Sequence, residues 1–370
     1  MPLALIALLA VAPATHARDP GRWLFTGASS LPISYWQGLS SDGRGGVVFA
    51  GVVEGLWRTT PELLQTHGVA AAIPPDVKLA EGYNHIGDIA YDRAEGGRLL
   101  LPLECYVFGR GNTCGTGAIG VADPGTLAWR YHVRLSTAEI AKAMWIEPAP
   151  DGALLWTSSG RDLLAYRAVD VSPTNAAPAR SISAARRLSG AVPPSGVTGA
   201  AFWRGRLLLA GQQGPRYQVW AVDLVTGRRR LELELRIRGE SEGLHAMQML
   251  GGDLQWLIAP FDPRGPATYG PGSALLHLAP AGGRARLRVS ASARERGPRL
   301  VATVRVTHRR RPVENARVSF GGANARTDRR GRAKLTVALG RGGRFRALAR
   351  KGALRGLSGW VVARGPAAPA

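Results

Sequence analysis

Polar residues of the kinds that bind ligands stand beside several apolar, strand-like runs of the sequence. Gln37, Asn84, His85 and Glu242 supply amide, imidazole and carboxylate groups. Such groups bind a small polar molecule when the fold brings them to one place, so we predict these four as binding residues. Histidine is the side chain that titrates nearest to neutral pH, and His85 is therefore also the candidate general base if the chain is an enzyme.

Three glutamates offer ligands for a metal: Glu54, Glu104 and Glu242. Ca²⁺ takes about six to eight oxygen ligands in loose geometry, so calcium is the ion that these carboxylates favour. A transition metal is the alternative if a histidine joins them. The structural interpretation is that each carboxylate pairs with Lys142 or an arginine, or accepts backbone N–H groups at a strand end. Asp88 lies inside a strand-like run and is the weaker candidate.

The sequence carries none of the common catalytic signatures. It contains no Gly-x-Ser-x-Gly, no His-Glu-x-x-His and no phosphate-binding glycine loop that leads into a helix. We therefore expect a ligand-binding or scaffold protein rather than an enzyme, and we keep a hydrolase as the alternative.

Two cysteines, Cys105 and Cys114, enclose the segment YVFGRGNT. In an exported protein such a pair predicts a local disulfide, which stabilises the fold by about 2 to 3 kcal/mol. Two free thiols are the alternative inside a reducing compartment, and two cysteines alone do not make a zinc site.

An apolar run from Leu3 to Val11 precedes small residues that include Ala14 and Ala17. This pattern predicts a signal peptide over residues 1–17, cleaved after Ala17 or Ala14, and hence a secreted or cell-surface protein. A buried N-terminal strand is the alternative. No later run reaches about 18 uninterrupted apolar residues, so we expect no transmembrane segment in the mature chain.

A strand-turn-strand pattern recurs along the first three quarters of the chain. The second strand of each copy begins, at intervals of roughly fifty residues, near Val47, Leu99, Ala153, Arg206 and Leu254. Glycines that supply the positive φ of tight turns stand between the paired strands, as at Gly43, Gly96 and Gly152. Repeats of this length are typical of β-propeller blades.

We therefore predict an all-β fold with a β-propeller over residues 18–281. Five blades are counted directly, and a sixth could lie in residues 59–81 or 172–195; a β-sandwich of the same strands is the structural alternative. The segment 22–27, RWLFTG, has no partner nearby in the sequence. We expect it to form the outer strand of the last blade and so to close the ring.

This part of the chain resembles the broad class of secreted propellers that includes gluconolactonases, paraoxonases and strictosidine synthase-like proteins. In the lactonases an acidic residue ahead of a glycine helps to bind the metal, and Glu242 in SEGL and Glu54 in VEGL match that pattern. The resemblance implies the alternative function, a calcium-dependent lactonase or esterase with His85 as base.

The C-terminal quarter carries nearly all of the charge. From Gly282 onward the chain has 23 lysines and arginines against three acids, so +20 of the total net charge of +22 lies there. Alternating residues such as Ala302, Val304 and Val306 predict half-buried antiparallel strands. We therefore predict a second domain, a small basic immunoglobulin-like β-sandwich over residues 282–365.

The stretch RRRPVENARVSFGGANARTDRRGRAKLTV resembles bacterial immunoglobulin-like and carboxypeptidase-regulatory-like modules. The positions that match are Pro312, Val313, Ala316, Val318, Thr327, Asp328, Gly331 and Ala333. The resemblance implies an accessory role in spacing or adhesion rather than catalysis.

The basic charge has two interpretations. A basic β-sandwich would associate with an anionic cell-surface or cell-wall component through salt-dependent contacts. Alternatively, GC-rich coding fills exposed positions with arginine. We do not expect specific nucleic-acid recognition, because the aromatic residues Phe320, Phe345 and Trp360 are too sparse for a stacking platform.

Overall fold

The computed structural model describes most of the chain. The described residues are 23–51, 54–140, 142–178, 180–237, 239–250, 252–259, 272–280, 287–340, 342–352 and 354–364. The predicted signal peptide and the predicted domain boundary at residues 281 and 282 lie outside these ranges. Within them, no helix is both long enough and apolar enough to cross a bilayer.

The fold is all-β, as predicted, and starts with strand β1, Trp23–Leu31. Sheet 1 consists of β2 (Gly38–Ser41), β3 (Val47–Ala50), β4 (Leu56–Thr59) and β5 (Gln65–Val69). After helix α1 (Pro75–Glu81) come β6 (His85–Ile86), β7 (Ala90–Asp92), a 3₁₀ turn (Ala94–Gly96), β8 (Arg98–Glu104), β9 (Tyr106–Val107), β10 (Gly111–Asn112), β11 (Ala118–Ala122) and β12 (Trp129–Leu135). Sheet 2 is formed by β6 to β8, β11 and β12, while β9 and β10 form a separate hairpin.

Three more antiparallel sheets follow in chain order. The third region contains β13 (Glu147–Pro148), β14 (Leu154–Ser159), β15 (Asp162–Arg167), two 3₁₀ turns (Ala168–Asp170 and Pro173–Asn175), β16 (Ser181–Ile182) and β17 (Arg186–Leu188). Of these, β16 pairs with β12 and the others form sheet 3. Sheet 4 consists of β18 (Gly199–Trp203), β19 (Arg206–Gln213), β20 (Arg216–Val222) and β21 (Arg229–Arg236), and sheet 5 begins with β22 (Glu240–His245), β23 (Leu254–Ala259) and β24 (Ser273–Pro280).

Strand β1 completes sheet 5 by pairing antiparallel with β24, from Trp23 opposite Pro280 to Leu31 opposite Ser273. The sequence predicted this pairing from the isolated position of the strand. The predicted turn glycines are also in place, because Gly43 and Gly152 both have a φ of +72°, which side-chain-bearing residues rarely adopt.

The first strands of the five sheets pack against one another. Strand β2 contacts β7 and β22, β13 contacts β7 and β18, and β18 contacts β22. The series of contacts therefore returns to β2. Separate apolar clusters fill the spaces between sheets 1 and 2, 2 and 3, 3 and 4, and 4 and 5. Strands such as β3 and β8 are buried along their whole length because both faces are covered.

The C-terminal segment, residues 287–364, contains the remaining strands. They are β25 (Arg288–Arg296), β26 (Arg299–His308), β27 (Arg311–Pro312), β28 (Arg317–Phe320), β29 (Ala323–Arg326), β30 (Arg332–Ala338), β31 (Gly343–Phe345), β32 (Leu348–Lys351), β33 (Leu354–Leu357) and β34 (Val361–Ala363). Strand β26 pairs with β25, β27 and β30 in one sheet, and a second sheet has the order β29-β28-β32-β33. Buried and exposed residues alternate along β30, as the sequence predicted for this region.

The C-terminal segment is joined to the rest of the chain through a shared sheet and a shared core. Strand β31 pairs with the free edge of β1, with Gly27 opposite Phe345, and β34 pairs with β31. Side chains of sheets 1 and 5, such as Phe49 and Leu275, belong to the same apolar cluster as Val304 and Phe320 of the C-terminal segment. This segment therefore fills the space between sheet 5 and sheet 1.

Candidate functional site

All five sheets meet at Asp88, which lies between β6 and β7. Its Oδ1 accepts the backbone N–H of Leu39 in β2 at 3.1 Å, and its Oδ2 accepts those of Ala200 in β18 and Leu244 in β22 at 3.1 and 3.2 Å. Its own backbone N–H donates to the carbonyl oxygen of Met144, ahead of β13, at 2.8 Å. Burial raises the pKa of Asp88 well above its ordinary range, while the three N–H donors lower it. The buried carboxyl thus links the first strands of three other sheets, and the backbone of Asp88 contacts the segment ahead of the fourth.

Four glycines allow the backbones to approach Asp88 closely: Gly38, Gly87, Gly199 and Gly243. A Cβ atom on Gly38 would lie 2.6 Å from the Cα atom of Asp88, and one on Gly243 would collide with the Asp88 carboxylate. On Gly87 and Gly199 a Cβ atom would collide with backbone atoms of the neighbouring first strand. These glycines stand in the first strands of four of the five sequence repeats. Their recurrence at equivalent positions is the sequence signal that points to close contact between the first strands.

Glu242, a predicted binding residue, lies beside this centre and is buried. Burial raises its pKa well above the ordinary range, and the nearby negative charges of Glu240, Asp88 and Glu104 raise it further. The side chain of Trp36 forms a hydrogen bond with the Glu242 carboxyl group, which lowers the pKa in part. These contacts favour the neutral form of Glu242, which can both donate and accept a hydrogen bond.

Glu104 and His85, two further predicted residues, lie side by side where β8 ends and β6 begins. Nδ1 of His85 lies 2.9 Å from Oε1 of Glu104, and both side chains are buried. That nitrogen is oriented away from an aligned hydrogen bond in the described structure, so the contact is electrostatic. Nζ of Lys142 lies 3.8 Å from Oε2 of Glu104, and the lysine side chain is 42 % exposed. His85 also acts electrostatically on Glu240, the first residue of β22.

The disulfide-closed hairpin β9-β10 borders this group of charges. Cys105 and Cys114 form the predicted disulfide, with their Cα atoms 5.0 Å apart. The ring of Tyr106 lies 5.3 Å from that of His85, and the Phe108 side chain at the hairpin tip is 60 % exposed. The hairpin therefore places accessible aromatic surface next to the buried carboxyl groups.

Asn84 holds this hairpin rather than leaving its amide free. Its Nδ2 donates to the carbonyl oxygen of Tyr106 at 3.0 Å, and its Oδ1 accepts the backbone N–H of the same residue at 2.8 Å. Gln37 lies just before β2, and its backbone carbonyl oxygen accepts the backbone N–H of Gly243 in β22 at 3.0 Å.

A second set of polar groups surrounds the start of β22. The Ser241 hydroxyl lies 2.8 Å from the Thr198 hydroxyl and accepts a hydrogen bond from Nε1 of Trp256 at 3.1 Å. The backbone N–H of Ser241 donates to the side-chain oxygen of Gln212. These bonds fix the strand that carries Glu240 and Glu242.

Glu54 is engaged elsewhere. Its Oε1 lies 2.8 Å from Nζ of Lys78 in α1, a partner that the sequence did not indicate. Among the residues that the structure describes, no three histidine, cysteine, aspartate or glutamate side chains form a group that could hold a metal ion. Glu54, Glu104 and Glu242 are therefore not assembled into such a group.

A further buried carboxyl group, Glu147 in β13, was not predicted from the sequence. Its Oε1 accepts the backbone N–H of Phe202 in β18 at 2.9 Å. Burial raises the pKa of Glu147 to about 8, against the lowering effect of that bond. Glu147 joins sheets 3 and 4 and acts electrostatically on Asp88.

Comparison with known proteins gives no family assignment. No family model matches the chain, and no curated protein matches it. Among solved structures, an exo-β-1,3-galactanase from Phanerochaete chrysosporium is similar over 93 % of this chain and 94 % of its own, at 8 % identity and a TM-score of 0.45. A putative glucose dehydrogenase from Thermus covers 70 % of this chain and 99 % of its own at 13 % identity, and a luciferin-regenerating enzyme covers 68 % and 94 % at 12 %, with TM-scores of 0.35 and 0.36. These likenesses are weak.

Proposed function

We propose that residues 23–280 form a five-bladed β-propeller that binds a small, hydroxyl-rich ligand at one end of its ring of first strands. The contacts of those strands, which run from β2 through β7, β13, β18 and β22 back to β2, support a closed ring. The pairing of β1 with β24 supports closure through the fifth sheet, and the five sheets favour five blades over six.

The observation that carries the ligand proposal is the group formed by Glu242, Glu104, Lys142 and His85. A neutral carboxyl beside a carboxylate and an ammonium provides both donors and acceptors with little net charge. Hydroxyl groups both donate and accept, so they complement such a group better than a charged ligand does. Exposed aromatic surface at Phe108 offers a place for the apolar side of the same ligand.

A hydrolase is the second candidate. The contact between His85 and Glu104 favours it, because a carboxylate beside a histidine is a common arrangement for a general base. The calcium ion that the sequence resemblance implied would need oxygen ligands beyond those that the described residues bring together.

The test is to measure binding of a panel of sugars and polyols by calorimetry, using the protein and its Glu242→Gln variant. We expect Glu242→Gln to weaken binding at least about tenfold, because an amide cannot reproduce both hydrogen-bonding roles of a neutral carboxyl. Glu147→Gln is the matched control, since it changes another buried glutamate that contacts sheet 4, and it should leave affinity within about twofold.

Equal affinities for the protein and Glu242→Gln would refute the proposed site. Turnover of a lactone or ester that disappears in His85→Gln would replace binding with the hydrolase. That second assay is run with and without Ca²⁺, so it also decides whether a metal takes part.

For the C-terminal segment we propose an immunoglobulin-like β-sandwich that associates with an anionic surface outside the cell. The net charge of +20 from Gly282 onward, nearly all of it in this segment, supports the association, and the disulfide between Cys105 and Cys114 supports export to an oxidising compartment. Because the segment shares a sheet and a core with the propeller, adhesion fits it better than spacing.

A further inference from the structure

Four arginines form a single row across the second sheet of the C-terminal segment. The strand register places Arg326 of β29 opposite Arg317 of β28, Arg317 opposite Arg350 of β32, and Arg350 opposite Arg355 of β33. Residues directly opposite each other in antiparallel strands lie on the same face of the sheet. Because neighbouring strands lie about 4.8 Å apart, this arginine row is roughly 14 Å long.

The arginine row lies on the face that points away from the core. The next register position is occupied by Val318, which pairs with Ala325 on one side and Ala349 on the other. Val318 and Ala349 are fully buried in the apolar core of the segment. Since side chains alternate along a strand, the arginines project from the opposite face.

The charges in the row are only partly offset by nearby acids. Like charges directly opposite each other destabilise a sheet. In the described part of the chain, Arg317 and Arg350 form no ion pair with a carboxylate. Burial lowers the pKa of Arg350, and Arg355 and Arg317 lower it further, while Asp253 at the turn between β22 and β23 raises it. Arg204, at the turn between β18 and β19, adds another positive charge beside Asp253.

The two ends of the row are held in place. Arg355 donates from one terminal nitrogen to the carbonyl oxygen of Pro280, at 2.9 Å, and Arg326 donates to Oδ1 of Asn315 at 3.1 Å. The row therefore extends from the exposed edge of the C-terminal segment to its junction with sheet 5.

We propose that the arginine row binds an extended, base-free phosphate polymer laid across the four strands. This inference rests on the proposed association with an anionic surface and names its residues and its ligand. A guanidinium fork matches a phosphate group in two parallel hydrogen bonds, and a linear row matches a chain. Arg355, at the inner end of the row, is half-buried beside Pro280, where a narrow chain reaches it more readily than a flat bilayer surface does.

Recognition in the row is of phosphate rather than of bases. The other residues on the same face include Ser319, Asn324 and Leu348, which are paired two residues along the strands from the arginines. None of the three has an aromatic ring on which a base could stack. We therefore expect inorganic polyphosphate to be a sufficient probe.

The experiment measures binding of polyphosphate to the full chain and to the double variant Arg317→Gln/Arg350→Gln. We expect at least about tenfold weaker binding and a salt dependence reduced by about 0.7 in slope for each lost phosphate contact. The matched control is Arg305→Gln/Arg332→Gln, which removes an equal charge from directly opposed residues of β26 and β30 in the other sheet. The control should lose less than about threefold.

Equal losses in the two double variants would overturn the row as the site, while leaving association through general charge intact. No binding of the unaltered protein to polyphosphate or to anionic vesicles would overturn the association itself. Vesicle binding that exceeds polyphosphate binding, or an oligonucleotide that exceeds both, would assign the row to a bilayer or to nucleic acid instead. If circular dichroism shows that the first variant does not fold, Arg317→Gln/Arg326→Gln, at two exposed positions, replaces it with the same expected loss.

Discussion

Asp88, Glu147 and Glu242 are buried where the first strands of the sheets pack together, and each carboxyl group has a hydrogen-bond partner. Asp88 accepts three backbone N–H groups, Glu147 accepts one, and Glu242 is bonded to Trp36. In all three, burial raises the pKa more than these bonds lower it. A raised pKa disfavours the ionised form, so the contribution of these groups to stability falls as the pH rises from the unfolded-state pKa towards the folded-state pKa.

Glu147→Gln should make stability less dependent on pH. The folded protein raises the pKa of Glu147 from 4.5 to about 8. The stability that this group contributes is present below about pH 4.5 and is lost as the pH rises to about 8. Removing the titration should therefore flatten the decrease in unfolding free energy between pH 5 and 8 by on the order of 3 kcal/mol.

Urea denaturation at a series of pH values measures this effect. The control is Glu62→Gln, because Glu62 is only half-buried, in the turn between β4 and β5, and does not share the full burial of Glu147. Parallel pH profiles for the unaltered protein and Glu147→Gln would show that Glu147 is ionised in the fold, contrary to this prediction.

Short-range features of the site could be predicted from single residues, and long-range ones could not. The disulfide between Cys105 and Cys114 closes over a separation of nine residues, so spacing alone was informative. The three backbone N–H groups that donate to Asp88 lie 49, 112 and 156 residues away, and the sequence around Asp88 does not predict them. The sequence made Asp88 the weaker candidate because it lies inside a strand-like run, whereas in the fold it lies between β6 and β7 and is buried against strands of other sheets.

At the scale of the strands, close backbone approach is what the first strands share. Gly38 lies in β2 and Gly243 lies in β22, and both are in close contact with Asp88. The apolar repeats predicted these strands, because each repeat corresponds to the strands of a single sheet. How the sheets meet depends on glycines, whose role is visible only once the strands face each other.

Gly243→Ala should destabilise the protein by about 1 to 3 kcal/mol or more. The added Cβ atom would collide with Oδ1 of Asp88 and come within 2.8 Å of the Cα atom of Gly38, and backbone atoms there cannot move aside easily. Chemical denaturation followed by tryptophan fluorescence measures the change.

Gly359→Ala is the control for this prediction. A Cβ atom on Gly359 meets no other atom within 4 Å, and its backbone does not need a positive φ. We expect its stability to be unchanged or slightly raised. A Gly243→Ala variant as stable as the Gly359→Ala variant would mean that the first strands are not packed as tightly as the structure shows.

The edges of β1 show what the sequence could and could not predict about sheet pairing. A lone N-terminal strand must find a partner late in the chain, and the pairing with β24 follows from that requirement. The pairing of its other edge with β31 was not predicted, because the basic composition of the C-terminal quarter suggested a separate domain. The charged residues of these strands face solvent, whereas the apolar residues that alternate with them form the shared core.

For the molecule as a whole, the space between sheet 5 and sheet 1 differs from the other four. Each of those is filled by the side chains of the two sheets that border it. The fifth is filled by sheets 1 and 5 together with the C-terminal segment, through residues that include Leu39, Leu257, Leu300 and Phe345. The C-terminal segment therefore stabilises the ring as well as carrying the positive charge.

This arrangement predicts that the described chain unfolds as one cooperative unit. Phe345 lies at the junction, 1 % exposed, with its ring 6.2 Å from both His277 of sheet 5 and Phe320 of the C-terminal segment. Phe345→Ala should reduce the unfolding free energy by about 3 to 5 kcal/mol. In hydrogen exchange of Phe345→Ala, amides of sheet 1 and of β26 should lose protection together. The control Val362→Ala, at an exposed position of β34, should change neither the unfolding free energy nor the protection of these amides. Loss of protection confined to the C-terminal strands would show instead that the two parts fold independently, so that anchoring and ring closure could be separated by truncation.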